Sequence, residues 1–149
     1  MKPIRTWVLI ADAARARIFE NTGKGTGLTI VQDMTLDADL APSHELGTDR
    51  PGRSFDSVGS GRHAMESPSD LHREQKRRFA RRVAEAIQNR QATRSFDSLV
   101  LVAPPVTMGD LRAALPDKVK AVVAAEVVAD LTNTAMSELP AHLAAYVPL

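Results

Sequence analysis

Arg50, Arg53 and Arg62 are the residues of this chain best suited to binding chemistry, because glycines punctuate the stretch that carries them. A guanidinium offers a planar fork of donors that matches two oxygens of a phosphate. Gly52, Gly59 and Gly61 stand between the arginines. Without a Cβ they admit backbone shapes in which successive N–H groups surround an anion. His63 follows, and then a basic run that includes His72, Arg73, Lys76, Arg77, Arg78, Arg81 and Arg82. The expectation is a phosphate-binding surface. Arg50, Arg53 and Arg62 would be its loop contacts, and Arg73, Lys76 and Arg77 its helix contacts. Gly52, Gly59 and Gly61 would shape the loop. His63 and His72 would donate hydrogen bonds to the same ligand. Aromatic content is 4%, too sparse for extended base stacking. Phosphate contact without sequence reading is therefore the expected mode.

The charge distribution points the same way. Net charge is +1. Between Arg50 and Arg94 there are 11 Lys and Arg against 5 Asp and Glu, whereas the rest of the chain has 8 against 13. A basic segment on an acidic domain attracts polyanions when it lies on one face. The plain alternative is a solvated helix face.

Other chemistries find less support. There is no cysteine, hence no disulfide and no thiolate. That suits a reducing cytoplasm, which is the expected location. Trp7-Val-Leu-Ile-Ala11 is too short for a signal peptide or a membrane span. His44, His63, His72 and His142 match no metal-binding spacing, so neither a metal nor a cofactor is expected. Gly23-Lys-Gly-Thr-Gly27 lacks the spacing of a phosphate loop and precedes a strand pattern, so it reads as a hairpin turn. A two-metal nuclease needs several converging carboxylates. Asp12 is one candidate, but the fourth strand ends in Ala103-Pro-Pro105, and Glu126 and Asp130 are poor substitutes. A hydrolase using Asp12, Glu66 or His63 lacks a paired nucleophile and base.

The elements that must position these groups follow from patterning. Arg5 to Asp12 is a nearly continuous apolar run, the pattern of a strand buried on both faces. Asp12-Ala13-Ala14 turns the chain into a second strand, Arg15 to Glu20, and Leu28 to Met34 reads as a third. Leu36 to Glu66 has almost no periodicity, a loop length that is usually functional or disordered. Ser67-Pro-Ser-Asp70 announces a helix with Ser67 as cap and Pro68 at its first position. Leu71, Gln75, Phe79, Val83 and Ile87, with Ala80 and Ala84, form its apolar stripe. It should stop between Asn89 and Thr93. Leu99-Val-Leu-Val102 has the look of a central parallel strand. Thr107 or Gly109-Asp110 should open a short helix that Pro116 ends. Lys118 to Asp130 fits a strand in its later part, although its valines also fit a helical face. Thr132 should cap a last helix. Arg-Ser-Phe-Asp-Ser occurs at Arg53 and again at Arg94, without flanking similarity, and is not a structural repeat.

Several of these stretches together resemble a bacterial family, the host attachment proteins. They are Trp7 to Glu20, Asp49 to Ser57, Gly61 to Glu66, Leu99 to Pro105 and Asp130-Leu-Thr132. The resemblance covers nearly the whole chain and implies a role in adhesion to host cells, with no chemistry attached. The chain also resembles the middle domain of eukaryotic and archaeal peptide-chain release factors. There a Gly-rich loop leads into a basic helix, as Gly59-Ser-Gly-Arg-His63 leads toward Lys76 to Glu85 here. The Gly-Gly-Gln of those factors is absent, so peptidyl-tRNA hydrolysis is not implied.

The resulting expectation is one α/β domain spanning residues 1–149, with a Gly/Arg-rich loop at about 37–66. It would hold a mixed five-stranded sheet in the order β-β-β, loop, α-β-α-β-α, ribonuclease-H-like and similar to the release-factor middle domain. The leading function is a non-enzymatic module docking on RNA or the ribosome. The alternatives are an adhesion factor with a protein partner or a second copy of itself, and a metal-dependent nuclease or other hydrolase.

Overall fold

Strand β1, Thr6–Ala11, lies at the centre of the sheet and is buried along its whole length. That is why its sequence is a continuous apolar run rather than an alternating one. The computed structural model describes residues 3–38 and 68–149, with the backbone alone for 68–70. Asp12 turns the chain after β1. Its Oδ1 accepts the N–H groups of Ala14 at 2.8 Å and Arg15 at 2.7 Å, an Asx turn. Strand β2, Arg15–Asn21, returns antiparallel with Leu9 opposite Ile18.

The Gly23–Gly27 segment is the expected hairpin connection, and Asn21 holds it together. The Asn21 side chain is buried at 1% exposure. Its Nδ2 lies 2.8 Å from the Gly27 carbonyl and 3.3 Å from that of Pro148, and its Oδ1 accepts the Gly23 N–H at 3.0 Å. Gly25 and Gly27 adopt φ of +83° and +67°, a region that side chains with a Cβ resist.

The third strand departs from expectation. It is two short pieces, β3 (Thr29–Ile30) and β4 (Leu36–Asp37), separated by a 3₁₀ turn at Gln32–Met34. Both pair antiparallel with β2 at different positions. Among the described residues the sheet therefore has six strands, not five, and Asp37 belongs to a strand rather than to the loop. The reason is burial phase. An unbroken strand would put Met34 on the same face as Leu28 and Ile30, because side chains alternate. Leu28 and Ile30 pack on one face of the sheet, whereas Met34 is buried in the cluster on the other. The turn makes that switch.

Helix α1, Pro68–Ala92, crosses over to β5, Ser98–Ala103, which pairs parallel with β1. Phe79, Ala80, Val83, Ala84 and Ile87 of α1 pack with Trp7, Leu9, Leu99 and Leu101. Leu71, expected in that stripe, is 43% exposed, and Gln75 is half-buried. The helix ends where Arg94 takes φ of +58° and the Ser95 N–H bonds the Arg90 carbonyl at 2.9 Å, a Schellman closure. Helix α2, Pro105–Ala114, starts two residues before Thr107 because Pro105 takes the first helical position. A one-turn helix α3, Asp117–Lys120, precedes β6, Val123–Val128, which pairs parallel with β5. That resolves the two readings of the valines: Val119 lies in a helix, Val123 and Val127 in a strand.

The sheet order is β3–β2–β1–β5–β6, with β4 also on the outer edge of β2. The long helices cover one face. Leu131, Leu139, Leu143 and Val147 cover the other, packing on Val8, Ile10, Val100 and Val102. This is a three-layer α/β fold with a mixed sheet. Thr132 does not cap the last helix, α4 (Leu139–Leu143), which begins seven residues later behind a 3₁₀ turn at Met136–Glu138. Thr132 is buried instead, with its hydroxyl 3.0 Å from Asp12 Oδ2 and 2.7 Å from Asp130 Oδ1. Arg17 fixes the same segment by donating to the carbonyls of Leu131 and Thr134 at 3.0 and 3.1 Å.

Candidate functional site

The cations of α1 divide into four groups according to what they meet. Arg73 points to α2 and forms a two-pronged pair with Asp110, at 2.7 and 2.5 Å. The Asp110 hydrogen bonds push the Arg73 guanidinium above its ordinary pKa. Arg73 therefore joins two helices. Lys76 lies over the end of the sheet. Arg77, Arg78 and Arg81 are exposed, and their three- and four-residue spacings make them neighbours on the helix surface. Arg77 and Arg78 have no ion pair among the described residues; Arg81 lies 3.9 Å from Glu74. His72 is also exposed. Arg82 donates to the Asp37 carbonyl at 2.5 Å, and Arg90 bonds Asp33. Arg50, Gly52, Arg53, Gly59, Gly61, Arg62 and His63 lie outside the described residues, as do Glu66 and the proposed Ser67 cap.

The described acids that were weighed as metal ligands are engaged with other groups. Among the described residues, no group of three or more His, Asp or Glu is placed to share a metal ion. Asp12 spends its carboxylate on the turn and on Thr132. Glu126 pairs with Arg112 at 2.8 and 2.5 Å. That contact holds the Glu126 carboxyl below its usual range and the Arg112 guanidinium above its own.

A pH dependence follows. A carboxyl whose folded pKa is depressed binds its proton more readily when unfolded. Its stabilising contribution is present above the ordinary glutamate value of about 4.3. It is lost as pH falls through the folded value. Wild type should exceed Glu126→Gln in urea midpoint at neutral pH, and the gap should close on acidification.

A crevice of about 310 Å³ opens beyond the carboxyl ends of β1 and β5, lined among others by Asp12, Lys76, Pro104, Val106 and Thr107. The chain leaves β1 toward β2 on one side and leaves β5 toward β6 on the other. Open α/β sheets bind ligands at such a switch point. Sequence reasoning put the start of α2 at Thr107 or Gly109, at least two residues late, and gave Thr107 no place in a site. Pro105 was the available signal, since proline favours the first position of a helix.

The fold is similar to the crystal structure of the archaeal translation termination factor aRF1, with a TM-score of 0.51 and 12% identity over 85% of this chain and 30% of that one. This chain thus spans less than a third of that factor's length. A solved structure described as an archaeal protein gives a TM-score of 0.42 and 12% identity, covering 95% of this chain and 40% of the other. At 12% identity the similarity to the termination factor bears on the fold alone. Sequence comparison with curated proteins found no match. No described helix is long and apolar enough to cross a membrane. The family described as "protein required for attachment to host cells" matches residues 7–143, and the chain belongs to it.

Proposed function

We propose that this chain is a non-enzymatic binding module that docks the outer face of α1 on the phosphate backbone of RNA, with the ribosome as its expected site of action. The observation that carries this reading is the exposed trio Arg77, Arg78 and Arg81, of which the first two lack an acidic partner among the described residues. Unpaired guanidinium groups on one helix face keep their donors available for phosphate oxygens. Arg50, Arg53 and Arg62 belong to the same proposal as loop contacts. Arg73 has a smaller place in it than its sequence position suggested, because Asp110 already occupies its donors. Similarity in fold to a translation termination factor supports the ribosome as the first target to test.

The test is binding to purified ribosomes and to structured RNA across a salt series. Each neutralised phosphate contributes a slope of about −0.7 to −0.9 in log K against log salt. The triple change Arg77→Gln, Arg78→Gln, Arg81→Gln should flatten the wild-type slope by about 2 to 3 on that scale. A wild-type affinity indifferent to salt would remove the reading. The family description favours a second reading, an interaction protein needed for attachment. Protein partners that survive nuclease treatment in a pull-down, with no RNA retained, would favour it.

A further inference from the structure

The crevice at the switch point contains an arrangement that the exposed trio Arg77, Arg78 and Arg81 does not use. Helix α2 has ten residues and starts at its floor. Its cap, Pro104, supplies no side-chain bond, and its first turn has no acid. Pro105 has no N–H, and the Met108 N–H bonds the Pro104 carbonyl at 2.8 Å. The N–H groups of Val106 and Thr107 remain without a partner among the described residues. Both residues line the crevice. Thr107 is 7% exposed, and its hydroxyl likewise has no hydrogen bond among the described residues. Thr107 Oγ1 is not among the fully buried atoms that lack a partner, so this donor stays open to water or to a ligand oxygen at the crevice wall. Lys76 adds an exposed ammonium from α1 to the same crevice.

We propose that this crevice binds a phosphate group, held by the Val106 and Thr107 N–H groups, the Thr107 hydroxyl and the Lys76 ammonium. Helix N-termini favour anions through aligned N–H groups and the helix dipole. A lysine supplies the compact counter-charge. Asp12 on the opposite wall opposes this field. However, its carboxylate accepts the N–H groups of Ala14 and Arg15 and lies 3.8 Å from the Arg15 guanidinium. The volume is at the small end for ligand sites, which suits a phosphate with a small substituent. The phosphate has two sources, a free phosphorylated small molecule or an RNA backbone phosphodiester.

The test is an amide NMR titration with inorganic phosphate, balanced by chloride to constant ionic strength. The Val106 and Thr107 amide signals should shift and saturate. Lys76→Gln and Thr107→Val should each weaken binding by about tenfold, the scale of one hydrogen bond involving a charged group. Lys76 is exposed and valine is isosteric with threonine, so both variants should keep the dispersed wild-type spectrum. Absence of saturable shifts at those two amides would overturn the proposal, as would unchanged affinity in both variants. A short RNA without terminal phosphate distinguishes the sources. If it moves the same amides, the backbone is the ligand; if only inorganic phosphate moves them, the ligand is a free phosphate compound. The triple arginine variant should leave the phosphate shifts intact, so failure of RNA docking and failure of this site are separately visible.

Discussion

Leu9→Ala should destabilise the fold by about 3–5 kcal/mol, the range for truncating a fully buried leucine. Leu9 is 0% exposed. It lies on the central strand with Ile18 opposite it on β2 and Leu101 on β5. Strands on both sides and α1 above prevent the gap from collapsing, so the cavity penalty adds to the lost transfer energy. A domain is typically stable by about 5–15 kcal/mol, so this single change removes a large share. Trp7, the only tryptophan, reports the transition. It is 2% exposed, packs 4.9 Å from the Phe96 ring and donates to Glu20 at 3.0 Å. Its emission should shift red on unfolding, at a much lower urea midpoint in the variant. Leu71→Ala is the control: at 43% exposure it should change stability by less than about 1 kcal/mol. Equal effects at the two positions would contradict the packing described.

Asn21→Ala should cost about 2–3 kcal/mol, and Asn21→Asp more. The amide is a donor toward the Gly27 and Pro148 carbonyls and an acceptor for the Gly23 N–H. Alanine leaves the half-buried Gly23 and Gly27 groups without that partner, each at about 1–3 kcal/mol before relaxation. Aspartate keeps the shape but turns the donor into a second acceptor, so a carboxylate faces carbonyl oxygens. The expected order of urea midpoints is wild type, then alanine, then aspartate. Aspartate equal to wild type would mean that the side chain does not organise this loop.

Local pattern made the central elements legible. β1 and β5 could be recognised because strands buried on both faces need unbroken apolar runs. α1 could be recognised because Phe79, Val83 and Ile87 recur at the helical period. The 3₁₀ turn before β4 was not legible, since it depends on which face of the sheet must receive Met34. The candidate site was legible as composition but not as direction. The partner of Arg73 is Asp110, 37 positions away, and no local rule pairs them. The place of Thr107 at the crevice became visible only with α2 starting at Pro105.

The broken third strand has a further consequence, for self-association. On the β2 side the sheet margin consists of two dipeptide-length pieces with a turn between them, too short to template an incoming chain. On the other side, among the described residues, β6 spans six residues, with a register shift at Ala124 and an in-register run from Ala125 to Val128, where Val128 is 55% exposed. Of the two described sheet margins, growth into fibrils by strand addition under stress should therefore begin at β6.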